Sequence, residues 1–297
     1  MVAPGPSQGE ALVVWALFAA DAIAVLIVYS LLDPSELYNV SRDGVDGGLS
    51  RLLVHLNFPI ALVALPLTVL ALDVLPRRAW LVGAPALALS AFVAVPGVVD
   101  QSDLDARPVN VVPALGVVLA LVLTIAAARQ TGTGFAPDSS GDRWRVAVGV
   151  VAVLVSLPWF TAELGFHFPG GVFLTDELYV EPGEGPTAAV HLGHHHGLAG
   201  TLFVLAALLL SRTSPVRAGL RRAFAALVAL MFAYGVANLV QDLWHEQAVK
   251  RGWTSLDIPS ALVPGAKPIW GLILVVAALG TFVLLRDRER GTAAPAH

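Results

Sequence analysis

Six of the eight histidines in this chain fall at one end of long apolar segments, all on the same side of them: His55, His167, His191, His194, His195 and His245. Imidazole is the commonest metal ligand among protein side chains, and a polar group at membrane depth is costly enough to require a partner. This pattern predicts a metal-binding site at one face of a membrane protein.

Three of these histidines have the spacing of one helical face. His191, His194 and His195 occupy positions i, i+3 and i+4 of a segment apolar enough to form a helix from residue 188. Their imidazoles are therefore expected to converge on one metal ion. The alternative is a set of histidines that hydrogen-bond at headgroup level or act as a loose surface chelator.

Two neighbouring segments end with a carboxylate and a histidine at helical spacing. Glu163 precedes His167 by four residues, and Asp242 precedes His245 by three. We expect His167 and His245 to be further metal ligands, with Glu163 and Asp242 as catalytic groups that act as ligand or general base. Glu246 is another carboxylate at this level. Mixed sets of histidine and carboxylate suit Zn, Fe or Cu(II).

A polar stripe continues below His245 on the same predicted helix and includes Tyr234 and Asn238. Such a stripe cannot face lipid. We expect Tyr234 and Asn238, together with His55, to line a cofactor-binding pocket under the metal site; a buried hydrogen-bonded seam between helices is the alternative. Asp21 lies midway along the first apolar segment, and an intramembrane carboxylate suggests a proton relay or a buried partner.

The composition places these residues in a helical membrane protein. Of the 297 residues, 56% are hydrophobic and 13% are charged, and the mean hydropathy is +0.74. A stretch of about 20 apolar residues crosses a ~30 Å hydrocarbon layer as a helix. The predicted fold class is therefore all-α, with eight transmembrane helices over residues 11–32, 52–75, 79–99, 108–128, 144–165, 188–211, 219–245 and 268–286.

Basic residues are unequally divided between the two sides of these helices. Twelve of the 18 lie in or beside the loops after the second, fourth and sixth helices or in the C-terminal tail, and six lie on the other side. Loops rich in Arg and Lys stay on the cytoplasmic side. The expected location is the cell membrane, with both termini cytoplasmic and the histidines on the extracytoplasmic side.

Short strings recur in the same order in the two halves of the chain. The pairs are Glu36–Tyr38 with Glu177–Tyr179, Val54–Leu56 with Val190–Leu192, Arg77–Trp80 with Arg221–Phe224, and Leu104–Asp105 with Leu256–Asp257. We predict a parallel internal duplication, with chance similarity as the alternative. The first four-helix half is residues 1–129, a cytoplasmic linker is 130–142, and the second half, 143–297, carries the histidine cluster.

Several classes of function are excluded by what the sequence lacks. There is no cysteine, so thiolate metal sites and thiol catalysis are impossible. No phosphate-binding glycine loop, serine-nucleophile motif or basic nucleic-acid patch is found. The expected partners are the lipid bilayer and a small hydrophobic or extracytoplasmic substrate, with no nucleic acid. The sequence carries no signal for an oligomeric state.

Three functions agree with these features. The first is a membrane metalloenzyme, an oxidoreductase or hydrolase that uses a divalent Zn, Fe or Cu ion to activate oxygen or water. The second is a haem- or copper-handling protein of respiratory assembly, in which the histidines are axial or transfer ligands. The third is a metal ion transporter, which ranks lowest because the ionisable residues are concentrated at one face.

Two limited resemblances accompany this pattern. The four-plus-four plan with outward-facing histidines resembles haem A synthase, although the residue patterns of that family are not found here. The step from Glu163 to His167 resembles copper ligands in the membrane subunits of particulate methane and ammonia monooxygenases, over these residues alone. Neither resemblance assigns a role to a residue of this chain.

Overall fold

The computed structural model describes residues 8–293 apart from 96, 100–102, 181–185 and 263–264. The described residues form ten α-helices and one antiparallel hairpin: α1 (Gly9–Leu31), α2 (Gly44–His55), α3 (Ala61–Val74), α4 (Trp80–Ala91), α5 (Val111–Thr131), α6 (Asp142–Val155), α7 (Leu157–Glu163), β1 (Leu178–Val180), β2 (Pro186–Ala188), α8 (His196–Leu210), α9 (Ala218–Asp242) and α10 (Pro268–Ala293).

Five helical stretches are long and apolar enough to cross a membrane: Gly9–Leu31, Gly44–Val74, Pro108–Thr131, Ala218–Val249 and Pro268–Arg286. The π-helical turn Leu56–Ile60 joins α2 to α3, and the π-helical turn Leu243–Val249 continues α9. The pair α6 and α7, bent by 61°, is a sixth if it forms one span. The expected all-helical fold and multi-pass membrane character are confirmed.

Two of the eight predicted spans are shorter than expected. The helices α4 and α8 have 12 and 15 residues, and 15 residues extend only ~22 Å. The helix predicted from residue 188 begins at His196, because the backbone before it bonds to other parts of the chain and Gly193 has a φ of +94°. The prediction that His191, His194 and His195 share one helical face is therefore wrong.

The interior combines helices from both predicted halves. One apolar core joins side chains of α1, α3, α5, α8, α9 and α10, and the rings of Phe18 and Phe203 lie 6.2 Å apart between centroids. Helices α8 and α9 approach closely where Gly200 faces Gly235, since a Cβ on Gly200 would lie 2.5 Å from the Gly235 carbonyl oxygen. Small residues at such a crossing let two backbones pack directly.

One of the matched pairs of strings adopts different local structures in the two halves. Val54–Leu56 is helical, whereas Val190–Leu192 lies in the non-helical segment before α8. The order of packing is more alike, because α3, α4 and α5 pack in sequence in the first half and α8, α9 and α10 do so in the second. The predicted duplication is therefore not confirmed by these local structures.

Candidate metal centre

The segment between β2 and α8, residues 189–195, runs through the protein interior without forming a helix. Its backbone N–H groups donate to other parts of the chain: Leu192 to Glu36 O at 3.2 Å, Gly193 to Ala162 O at 2.9 Å, and His194 to Tyr29 Oη at 3.1 Å. Lipid offers no such partners, so irregular backbone at membrane depth must be enclosed by protein. The segment is fixed in place by α1, α7 and the turn after α1.

Gly193 turns the chain within this segment. Its φ of +94° lies in the region that only glycine adopts readily, and a Cβ there would lie 2.5 Å from Tyr29 Oη. After the turn, His195 is extended, with φ −122° and ψ 151°. Neighbouring side chains on extended backbone point to opposite sides. His194 and His195 consequently join two different groups of ligands.

The inner cluster consists of Asp21, His55 and His194, which offer ligand atoms within 4.8 Å of one another. His55 Nε2 lies 2.7 Å from Asp21 Oδ2, and His194 Nδ1 lies 4.0 Å from Asp21 Oδ1. The two imidazole rings meet edge to face, with centroids 4.6 Å apart. All three side chains are buried. Asp21 lies ten residues before the end of α1, which is ~15 Å along the helix axis.

Two ionisable side chains flank the inner cluster. Glu163, at the end of α7, places Oε2 2.7 Å from His194 Nδ1. Arg51 lies one helical turn before His55 on α2, with its guanidinium carbon 5.4 Å from the centroid of the Tyr29 ring. Glu163 can therefore supply a further oxygen to the cluster or orient the His194 imidazole through a hydrogen bond.

The outer cluster consists of His191, His195 and Glu246, again with ligand atoms within 4.8 Å of one another. His195 Nε2 lies 3.7 Å from Glu246 Oε1, and the His191 and His195 rings stack with centroids 4.0 Å apart and planes inclined by 15°. His191 also stacks on Tyr38, which is 52% exposed. The outer cluster is thus closer to the protein surface than the inner one.

Backbone carbonyls determine which nitrogen each outer histidine can offer. His191 Nδ1 donates to Leu192 O at 2.8 Å, and His195 Nδ1 donates to Gly193 O at 2.9 Å. These bonds leave the Nε2 lone pair of both rings for another partner. His195 Nε2 is buried and has no hydrogen-bond partner among the described residues. A buried polar atom without a partner is destabilising, so this nitrogen is well suited to bind an ion.

Helix α7 supports both clusters from one face. Trp159 and Glu163 are four residues apart and therefore lie on the same side of the helix. Trp159 Nε1 donates to Glu246 Oε2 at 2.5 Å in the outer cluster, and Glu163 bonds to His194 in the inner cluster. The bend between α6 and α7 directs this short helix towards the two groups of ligands.

Each cluster contains two imidazoles and one carboxylate. A metal ion binds the neutral form of imidazole and the ionised form of a carboxylate. Zn–N and Zn–O bonds are about 2.0–2.2 Å long, and ligand atoms that lie within 4.8 Å of one another need only small shifts to meet one ion. Three protein ligands leave at least one coordination position for water or substrate. This donor set fits Zn(II) or Fe(II).

Two histidines predicted as ligands lie outside both clusters. The side chain of His167 is 54% exposed, and its Nδ1 bonds to Thr175 O at 2.9 Å. The helix that would have aligned it ends at Glu163. His245 is one-third exposed and faces Asp257 and Ile258 at 3.5 and 3.3 Å. The expected convergence of His191, His194 and His195 with one of these two residues is therefore not found.

The polar stripe of α9 is a hydrogen-bonded seam. Tyr234 Oη donates to Leu262 O at 2.9 Å, and Asn238 Nδ2 donates to Tyr234 O at 2.9 Å. Asp242 accepts a hydrogen bond from the backbone N–H of Gly197, in the first turn of α8. A carboxylate at that position stabilises a helix N-terminus. None of the three belongs to either cluster, and a cofactor-binding or catalytic role has no support in these contacts.

Three buried residues at the site were not predicted from the sequence: Tyr29, Arg51 and Trp159. Tyr29 and Trp159 have no specific signal in the sequence. Arg51 precedes His55 by four residues, and this helical offset could have identified it. Asp21 stands out in the sequence as a carboxylate inside an apolar segment, but its partner His55 lies 34 residues away on another helix.

Comparison with known proteins adds no relative to this description. No known protein family matches the chain, and neither the curated proteins nor the solved structures contain a significant match. The function is therefore argued from the geometry of the two clusters.

Proposed function

We propose that this protein is an integral membrane metalloenzyme with two adjacent metal centres, one at the inner and one at the outer cluster. The observation that carries the proposal is the repeated donor set, two histidines and one carboxylate in each cluster. Such triads bind Fe(II) or Zn(II) and leave coordination positions open, which is typical of catalytic rather than structural sites. The two centres are linked through the adjacent residues His194 and His195.

The surrounding residues have distinct tasks in this proposal. A bound ion would supply a Lewis acid, or a redox centre if it is iron or copper. The carbonyls of Leu192 and Gly193 orient the outer imidazoles, and Trp159 orients Glu246. Glu163 is placed to accept a proton beside His194. His191 and Tyr38 lie towards the surface, which favours entry of a lipid-soluble or extracytoplasmic substrate at the outer cluster.

The stacking of His191 on His195 favours a metal ion over haem. Two axial histidines of a haem lie on opposite faces of the porphyrin, whereas these rings are nearly parallel with centroids only 4.0 Å apart. They approach any shared ion from the same side. This arrangement supports a His/carboxylate metal centre, with haem or copper handling as the second candidate.

The interior beyond the inner cluster argues against transport. On α1, Trp15 and Phe18 lie between Asp21 and the start of the helix, and their side chains are buried in the apolar core. Trp15 Nε1 donates a hydrogen bond to Thr124 Oγ1 at 3.1 Å. A translocated ion would need polar ligands along this path, and no further group of three His or carboxylate ligands is found among the described residues.

We further propose that α4 and α8 complete eight membrane crossings, with both termini cytoplasmic in the cell membrane and both clusters towards the outside. In this arrangement residues 189–195 and α8 together make one crossing. The common packing order of α3–α5 and α8–α10 supports an internal duplication of two four-helix units at residues 1–129 and 143–297.

This orientation is tested by labelling single cysteines introduced into the cysteine-free chain. Cysteines at the exposed positions Ser140 and Leu178 are expected to react with an impermeant thiol reagent from opposite sides of the membrane. In intact cells only the Leu178→Cys variant should be labelled, and Ser140→Cys should react after permeabilisation. Labelling of both in intact cells would overturn the orientation.

The open coordination positions are tested with nitric oxide. Purified protein loaded anaerobically with Fe²⁺ is expected to give the EPR signal of a ferrous–nitrosyl centre, because nitric oxide binds only where a position is open. His55→Ala and His191→Ala should each remove roughly half of the signal, if each centre holds one ion. The control His245→Ala should keep all of it. Bound iron without any nitrosyl signal would overturn an enzymatic role and favour a structural or metal-handling one.

A further inference from the structure

Arg51 is a buried cation without a carboxylate partner. Its side chain lies in the interior, with 4% of the residue exposed. Its Nε has no hydrogen-bond partner, and no carboxylate lies within 4.0 Å of its guanidinium among the described residues. Other arginines of the chain differ in this respect: Arg145, for example, lies 2.9 Å from Asp142. Burying an unpaired charge costs free energy, so a bound anion would stabilise this guanidinium.

The position of Arg51 directs this charge at the inner cluster. It is four residues before His55 and so on the same face of α2. Its guanidinium carbon lies 5.4 Å from the centroid of the Tyr29 ring, and the Tyr29 hydroxyl accepts a hydrogen bond from the backbone N–H of His194. The two carboxylates are already engaged, because Asp21 bonds to His55 and Glu163 to His194, each at 2.7 Å. The guanidinium therefore lies beside the inner cluster, and its Nε retains an unpaired donor for another molecule.

The charges of the inner cluster define what that molecule would be. A metal ion binds the ionised form of Asp21 and the neutral form of the imidazoles. Asp21 then contributes one negative charge, the Arg51 guanidinium one positive charge and a divalent ion two positive charges, so the loaded cluster carries excess positive charge whether Glu163 is ionised or neutral. A net charge in a buried site of low dielectric is unfavourable. A bound monoanion reduces this excess, and the burial of these side chains limits it to a small one.

We propose that the metal-loaded inner cluster binds a small monoanion, held by the open position of the ion on one side and by the Arg51 guanidinium on the other. This inference rests on the proposed metal centre. The class includes hydroxide and the small oxygen- or nitrogen-donor anions that bind Fe(II), Co(II) or Zn(II). The guanidinium of arginine donates charge-assisted hydrogen bonds to such an anion, so we assign Arg51 as an anion-binding residue of the site.

The experiment is an azide titration of Co²⁺-loaded protein, followed by the visible absorption of the cobalt. It is carried out in the His191→Ala background, which leaves the inner cluster as the metal site. Azide is expected to change the spectrum with a saturable curve. Arg51→Leu should weaken azide binding by about 10- to 100-fold, the loss of one hydrogen bond to a charged group. It should also tighten Co²⁺ binding, because a like charge is removed.

The opposite signs of these two effects separate anion binding from a structural role. A merely structural Arg51 would weaken the binding of Co²⁺ and azide together, and that result would overturn the proposal. Arg51→Lys keeps the charge and should recover part of the azide affinity, which covers the case in which Arg51→Leu fails to fold. The exposed Arg42→Leu is the matched control and should change neither affinity. Failure of Co²⁺ to bind at all would instead overturn the metal centre itself.

Discussion

Replacing His194 and His195 together by alanine is expected to remove all tightly bound metal from the protein. The two residues are adjacent in sequence but belong to different clusters, so each single replacement should remove one of two equivalents. The physical reason is the extended backbone after Gly193, which directs the two side chains to opposite sides. Metal content per protein chain, measured after reconstitution with Zn²⁺ and removal of loosely bound ions, checks this prediction.

The controls for this experiment come from the histidines outside the clusters. His167→Ala and His245→Ala should retain both equivalents, because these side chains bond to Thr175 and Ile258 at the periphery. The double variant should keep its helical circular dichroism. Loss of both ions from one single variant that remains folded would indicate a single shared centre, and full metal content in the double variant would reject both clusters.

Gly193→Ala is expected to abolish both metal centres through one methyl group. A residue with a side chain at φ +94° is strained, at a cost of about 1–3 kcal/mol. The new Cβ would also lie 2.5 Å from the hydroxyl oxygen of Tyr29, a buried side chain whose hydroxyl accepts a hydrogen bond from the His194 N–H. Either response, a shift of Tyr29 or a change of the turn, displaces His194 from Asp21 and His195 from Glu246.

Gly170→Ala is the matched control for this substitution. Gly170 has a similar φ of +76°, but a Cβ there has nothing within 4 Å. Its replacement should cost a comparable backbone strain and leave both equivalents of metal in place. Thermal unfolding and metal content of the two variants are measured together. Equal metal content in Gly193→Ala and the parent protein would contradict the role of this turn in positioning the ligands.

Much of the helical framework follows from the sequence because lipid constrains backbone more strictly than water does. An apolar stretch in a bilayer must satisfy its hydrogen bonds internally, which makes it a helix. For this reason the stretches that contain Asp21, His55 and Asp242 are helices near the predicted positions. The rule is weaker where other protein backbone offers the hydrogen bonds, and this is the situation of residues 189–195.

At the site, too, the sequence predicts some features of single residues and not others. The sequence predicts His55, His191, His194 and His195 as metal ligands or cofactor contacts, since a histidine in an apolar segment needs a partner. It assigns the last three to one helical face, whereas the turn at Gly193 divides them between two clusters. His167 and His245 satisfy the same spacing rule, but the first lies beyond the end of α7 and the second faces Asp257.

By itself, then, the sequence determined that this is a helical, multi-pass membrane protein with buried histidines and carboxylates, because hydropathy and residue type are local properties. Only the tertiary structure decided which of them meet. Asp21 and His55 come from different helices of the first half of the chain and join His194 of the second half. Glu246 lies in a π-helical turn and approaches His195 from there. These contacts depend on the packing of helices distant in sequence, on which spacing within one segment carries no information.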